Sequence, residues 1–397
     1  FEVKPQAGFE DMVIIENNNT VSGITFDGSY SFAIENNVTG IYGNNLSGDI
    51  NITNNKFKHL TKSIHLKSLE ATNNVTIKNN EINTTVKGII IENDYSAENN
   101  NHILPGLNGT SLPHNLSLTI SDNKFKDIIG SAVYINLTNF NNVNIDINNN
   151  EIDIFKSPDF SNVNFDLFPD LVDQDYLIEN SITASGIDIS TNGSENNNIV
   201  IYQNKIERAN LNGILLKTDY TTNNNIINIY DNDIGKVGNP NLATKYIDNS
   251  PYENLIRQEF LNSGISVILN YDRSYSTVAK IEKNQSSVMI RDNRIESAYN
   301  KGISVINNNY GQNINILDNT IGATRNDGIS YKDILLINPE AVALNIVQMG
   351  NEINISNNTI NQALKYGISV YSQPNNFGKV IENEIKAAEQ GGILLNE

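Results

Sequence analysis

The 397-residue sequence has no cysteine and no tryptophan, and only three methionines and four histidines. Without cysteine there can be no disulfide, no thiolate metal site and no cysteine nucleophile. No run of 18 apolar residues occurs, so no apolar helix of this segment inserts into a membrane. Basic residues are scarce, 27 Lys and Arg against 45 Asp and Glu, for a net charge of −18. Phosphate contacts need basic patches, so nucleic acid is disfavoured as a partner. An acidic surface also repels acidic polymers unless a bound cation intervenes. No window sustains the i, i+3, i+4, i+7 pattern of an amphipathic helix. No G-x-S-x-G segment and no glycine-rich phosphate loop is present.

Asparagine and a short repeat fill the space these absences leave. The repeat reads apolar-x-x-Asn-x-apolar and is centred on Asn55, Asn80, Asn123, Asn150, Asn204, Asn232, Asn293, Asn319, Asn358 and Asn383. Its second half is a small residue followed by an apolar one, as in Gly88-Ile89, Ala132-Val133, Gly186-Ile187, Gly213-Ile214 and Gly264-Ile265. Nine residues separate Asn293 from Gly302, Asn319 from Gly328, Asn358 from Gly367 and Asn383 from Gly392. The shortest step between units is the 25 residues from Asn55 to Asn80.

Each unit carries two or three short segments of period-two alternation, the mark of half-buried strands. About 25 residues of short strands and tight turns make one coil of a β-solenoid. A single coil cannot bury its own apolar face. Stacked coils can, at about 4.8 Å per coil, which predicts about eleven coils in a rod on the order of 50 Å long. The recurrent Asn suits coil corners, because it tolerates left-handed backbone and bonds nearby main chain. In register its amides can also stack as a ladder. The recurrent Gly implies either φ > 0 or close packing of a turn.

On these units the chain resembles the right-handed parallel β-helix superfamily of pectate-lyase-like proteins, from about Val13 to Leu395. The resemblance implies an all-β, single-stranded right-handed parallel β-helix with loop insertions. It implies little about activity, since one fold hosts many. Residues 1–12 lack the repeat and are expected to be an N-terminal cap or a cut edge, with the β-helix over 13–397. The sequence stops mid-unit at G-G-I-L-L-N-E, so the repeat is expected to continue beyond residue 397.

Insertions between coils are where solenoids carry function. They fall at Glu92–Leu116, Asp153–Ile182, Gly235–Phe260, Asn270–Ser287 and Lys332–Glu352. The second and third interrupt the Asn-to-Gly half of a unit; the others leave from the opposite half. Two decorated flanks result. The second is rich in carboxylates and aromatics. Asp170, Asp173 and Asp175 are weak candidates for a Ca²⁺ site, since closely spaced oxygen ligands suit that ion. No cofactor is required by any motif. Phe168, Tyr176, Tyr246, Tyr252, Arg257, Tyr271, Arg273 and Tyr275 are candidate ligand contacts, because Tyr and Arg are favoured in binding surfaces and aromatic rings stack on sugar faces. His59 and His65 fall on expected coil turns and read as solvated.

Enzymes of the resembled superfamily imply compact acid, base or cation-binding sets, and the motifs of its lyases, hydrolases and epimerases are not found together here. The sequence therefore favours a non-catalytic segment of a secreted or bacterial cell-surface adhesin, resembling autotransporter passenger domains. Its partner would be a glycan, a host or cell-surface protein, or another copy of itself. The alternative is a polysaccharide lyase, hydrolase or epimerase. A carboxylate pair, or carboxylates with Arg or Lys, converging on one face of adjacent coils would favour that alternative.

Overall fold

The computed structural model describes residues 1–6, 10–29, 37–69, 74–93, 115–138, 140, 142–154, 184–192, 196–219, 224–238, 261–269, 286–307, 311–333, 350–372 and 376–396. Among these, all 35 strands pair in parallel, in three sheets of twelve, twelve and eleven strands, with no helix. We name the sheets A, B and C. One turn of chain runs through β6 (Asp49–Thr53) in sheet C, β7 (Lys56–Lys58) in A and β8 (Lys62–Leu69) in B. The next turn repeats this order as β9 (Asn74–Lys78), β10 (Glu81–Asn83) and β11 (Lys87–Asn93). Each strand pairs with its counterpart one turn away, as in Ile52↔Ile77, Phe57↔Ile82 and Ile64↔Ile89. This is a parallel β-helix with eleven complete C–A–B turns, consistent with the right-handed form. Within residues 1–12, β1 (Glu2–Val3) pairs with Thr25–Phe26, and β2 (Asp11–Ile15) opens sheet B.

The alternation in sequence becomes inward columns in space. In sheet B one column runs Ile64, Ile89, Val133, Ile187, Ile214, Ile265, Ile303, Ile329, Ile368, and every member is fully buried. Burying each such side chain is worth about 1.5–3 kcal/mol. In β35 (Gly391–Asn396), Ile393 and Leu395 take the inward register positions opposite Ile368 and Val370 and stand 48% and 64% exposed.

All ten repeat asparagines stack in one column. Asn204 is typical. Its Nδ2 donates to Asn232 Oδ1 at 3.0 Å and to the carbonyls of Ile147 and Tyr202 at 2.9 and 3.1 Å. Its Oδ1 accepts from Asn150 Nδ2 at 2.9 Å and Asn150 N at 3.1 Å. The left-handed backbone expected of these residues belongs instead to their predecessors, among them Asn54, Asn79, Asp122, Gln203 and Asp318, with φ of 57°, 56°, 56°, 54° and 56°. The ladder Asn turns inward one residue later, which is why it is buried. The repeat Gly also resolves one way. Gly88, Gly186, Gly213, Gly264, Gly302, Gly328 and Gly367 are not among the positive-φ glycines. A Cβ on Gly213 would stand 2.6 Å from the carbonyl oxygen of Gly264, so close packing excludes a side chain.

Two further columns were not expected. At the corner between sheets B and C, Asn197 N donates to Asn225 Oδ1 at 3.0 Å, and Gln312 N donates to Asn351 Oδ1 at 3.0 Å. On the outer face of sheet A, charge alternates over seven strands in register: Lys56, Glu81, Lys124, Glu151, Lys205, Asp233, Arg294. Lys56–Glu81 and Arg294–Asp233 close to 2.7 Å and Lys124–Glu151 to 3.4 Å.

Four of the five longest connections begin two or three residues inside the expected insertions, and the strands after the second and third begin a few residues beyond the expected ends, at Ile187 and Ile265. Glu92 and Asn93 complete β11, Asp153 and Ile154 complete β16 (Glu151–Ile154), and Lys332 and Asp333 complete β29 (Ile329–Asp333). Two connections, after β16 and after β22 (Asp233–Val237), join sheet A to sheet B. The other three, after β11, β23 (Ile265–Leu269) and β29, join sheet B to sheet C. All five therefore leave from the two corners that border sheet B.

Candidate functional site

The outer face of sheet B departs from a plain solvated surface. Its strands continue from β8 and β11 through β14 (Val133–Thr138), β17 (Ile187–Asn192) and β20 (Ile214–Asp219). Period-two geometry sends every second side chain outward. Register then sets two adjacent outward columns, His65–Ile90–Tyr134–Asp188–Leu215 and Lys67–Glu92–Asn136–Ser190–Lys217. Six titratable side chains thus share one face although they lie up to 152 residues apart in sequence, from His65 to Lys217.

His65 corrects its expectation. It lies in the middle of strand β8, 4% exposed, with Nε2 3.0 Å from Glu92 Oε2 and Tyr42 edge-on to its ring at 5.6 Å. The hydrogen bond from His65 holds the Glu92 carboxyl below its usual range, against the opposing effect of burial. Of the two described histidines, His59 sits in a turn, at φ 56°, with Nδ1 3.0 Å from Asp27 Oδ1.

Asp188 is the opposite case. It is buried, its Oδ1 has no hydrogen-bond partner among the described residues, and Lys217 Nζ stands 3.8 Å away. That is an ion pair too long for a hydrogen bond. Burial pushes the Asp188 carboxyl up, with Lys217 working against it. Tyr134, its neighbour on β14, is pushed up to about 12, first by burial and then by the negative charges of Asp188 and Glu92. The face therefore carries one carboxylate held ionised, one biased toward its proton, and a phenol that stays protonated between them.

Beyond β20 titratable side chains are interrupted for two strands and return in the second column as Lys332 and Tyr371, the Lys332 ammonium 5.7 Å from the Tyr371 ring centre. The first column continues as Ser266, Ser304, Ser330 and Ser369, and the second holds Ile268 and Ile306; all are buried. A second buried carboxylate, Asp333, is of another kind. Its Oδ1 accepts from Tyr331 Oη at 2.5 Å, Asn307 Nδ2 at 3.0 Å and Asn351 Nδ2 at 3.3 Å, and Asn376 Nδ2 donates to its Oδ2. Surrounded by donors, it is a structural strut between turns.

Phe168, Tyr176, Tyr246, Tyr252, Arg257, Tyr271, Arg273 and Tyr275 all lie outside the described residues, as do Asp170, Asp173 and Asp175. Among the described residues no three His, Asp or Glu gather as a metal site. The residues that do come together, His65, Glu92, Tyr134, Asp188 and Lys217, were missed by the sequence reading. One signal was there: the strand Gly186-Ile187-Asp188-Ile189 puts a carboxylate where other repeats have Ser, Leu or Ile.

No family model matches the chain, and no curated protein matches it. Among solved structures, the chain is similar to the catalytic domain of a GH87 alpha-1,3-glucanase in complex with nigerose, at 11% identity and a TM-score of 0.22. The match covers 98% of this chain and 58% of that one. At so low a TM-score the likeness carries no weight for activity, and the fold rests on the strand ladders above.

Proposed function

We propose that this chain binds a glycan along the outer face of sheet B, over β8 to β20, as a secreted or surface-exposed bacterial adhesin. The observation that carries the reading is the double column of polar side chains on one face, in which Glu92, Tyr134, Asn136 and Lys217 are partly exposed and His65 and Asp188 are buried beside them. Donors and acceptors there repeat at the strand spacing of about 4.8 Å. Such a lattice suits a linear polymer of hydroxyl-bearing units, and long connections border it on both sides. The test is a glycan array probed with the wild type and with Glu92→Gln and Tyr134→Phe. Selective binding weakened by both substitutions supports the reading; binding to no glycan, or binding indifferent to both, sinks it.

A second reading, cleavage of the bound glycan, has its own support. Glu92 and Asp188 are driven in opposite directions by their surroundings, the pattern of an acid–base pair. They sit two strands apart, about 10 Å along the axis. Glu92 is turned toward His65 on β8 and Asp188 toward Lys217 on β20, so both would have to change rotamer to close to the roughly 6.5–9.5 Å of an inverting pair. Asp188 would protonate the leaving oxygen and Glu92 would activate water. Release of reducing ends by the wild type, lost in both Asp188→Asn and Glu92→Gln, would replace the adhesin with a hydrolase.

A further inference from the structure

On this acidic chain, the first turns of sheet B hold an island of the opposite charge. Lys62 and Lys87 are register partners on adjacent strands, with nothing between them. Lys67 lies at the other end of β8, and His65 stands between Lys62 and Lys67 on the same strand. Directly opposed like charges destabilise a sheet. Where it recurs, on sheet A between Arg208 and Lys236, each cation has a carboxylate of its own, Asp153 and Glu296, and other exposed lysines of sheet A alternate with carboxylates and close ion pairs with them. Lys62, Lys67 and Lys87 do not: among the described residues none has a carboxylate within 4.0 Å. Two carboxylates face the island, Asp11 from β2 and Glu92 from β11, and Glu92 is engaged by His65. The three lysines are half-buried, unlike Lys56 and Lys124 of sheet A, which are exposed.

We infer that Lys62, Lys87 and Lys67 form a subsite for an anionic substituent, a carboxylate or a sulfate ester, on the glycan that lies along sheet B. The inference rests on the glycan-binding reading for its ligand and on register geometry for its place. An anion between Lys62 and Lys87 would relieve their mutual repulsion and engage two charge-assisted hydrogen bonds. The rest of the surface, net −18 overall, would repel the same polymer, so an acidic ligand would be held in one place and one orientation.

Two assays on the full chain test this, comparing the wild type with the Lys62→Gln/Lys87→Gln double variant and with Lys62→Arg. In the first, thermal unfolding is followed in millimolar sodium sulfate against sodium chloride at matched ionic strength. Sulfate is expected to raise the Tm of the wild type and of Lys62→Arg but not of the double variant. An equal response in all three overturns the subsite, and this arm needs no glycan. In the second, one polysaccharide backbone is immobilised in neutral, carboxylated and sulfated forms. The double variant is expected to lose about tenfold in affinity for an acidic form and to keep any affinity for the neutral one. The preferred acidic form identifies the substituent. Wild-type affinity equal for neutral and acidic forms overturns the inference while leaving glycan binding standing. Binding to none of the three defeats the glycan reading, and the sulfate arm alone then decides the anion site.

Discussion

Nε2 of His65 lies 3.0 Å from Oε2 of Glu92, and this bond ties β8 to β11 across the outer face of sheet B. The Glu92 carboxyl is held below its ordinary range by that bond. Its contribution to stability is therefore present above the unfolded carboxylate pKa of about 4.3 and is lost as pH falls through the folded value. Glu92→Gln is expected to cost on the order of 0.5–1 kcal/mol at pH 7, a modest figure because Glu92 is partly solvated. Urea unfolding at pH 7 and pH 3 checks this: the gap between variant and wild type should shrink at the lower pH.

Asp188 carries the opposite sign. A buried carboxyl pushed upward favours the protonated folded state, so its penalty is absent below the unfolded pKa of about 3.9 and sets in as pH rises toward the folded value. Asp188→Asn removes the charge and keeps the shape. It is expected to raise the Tm at pH 7 and to leave it unchanged at pH 3. A drop in Tm at pH 7 would show that the Lys217 pair outweighs the burial.

The asparagine column differs in value between its middle and its end. Asn204→Ala removes the acceptor for both Asn150 donors and the side-chain donor to the Ile147 and Tyr202 carbonyls in a buried corner, while the backbone N–H of residue 204 still donates to Asn232 Oδ1. A loss of about 3 kcal/mol is expected. Asn383 lies on the last turn and is only half-buried, so Asn383→Ala is expected to cost about 1 kcal/mol. Equilibrium unfolding of the two variants gives the ratio.

Gly213→Ala tests close packing. Its Cβ would meet the Gly264 carbonyl oxygen at 2.6 Å and Ile234 Cγ2 at 2.8 Å. Backbone inside a three-sheet coil cannot easily yield, so about 1–3 kcal/mol should be lost. Ala132 occupies the equivalent place just before β14, and Ala132→Gly is expected to cost about 1 kcal/mol or less.

The fold was legible because a solenoid writes its core as a one-dimensional pattern. Asn55 to Asn383 marked the corner between sheets C and A, and the Gly-Ile pairs marked entry into sheet B. The corner's backbone was assigned to the wrong residue because Asn serves both roles: Asn54 takes the left-handed turn and Asn55 fills the ladder. The face of sheet B was not legible in the same way. His65, Glu92, Tyr134 and Asp188 belong to four different turns, and only register brings them together. The aromatic and acidic insertions drew attention first because composition is visible residue by residue, whereas a column across strands is visible only once the turns are stacked.

The charge column on sheet A bears on how such a chain can lengthen. Lys56, Glu81, Lys124, Glu151, Lys205, Asp233 and Arg294 alternate one sign per turn. Removing the turn that carries Glu151 would set Lys124 against Lys205, and inserting a single turn would create a like-charged pair somewhere in the series. Loss or gain of two turns preserves the alternation. Duplication and deletion within this gene should therefore be tolerated in even steps, and homologues of different length should differ by pairs of turns over this stretch.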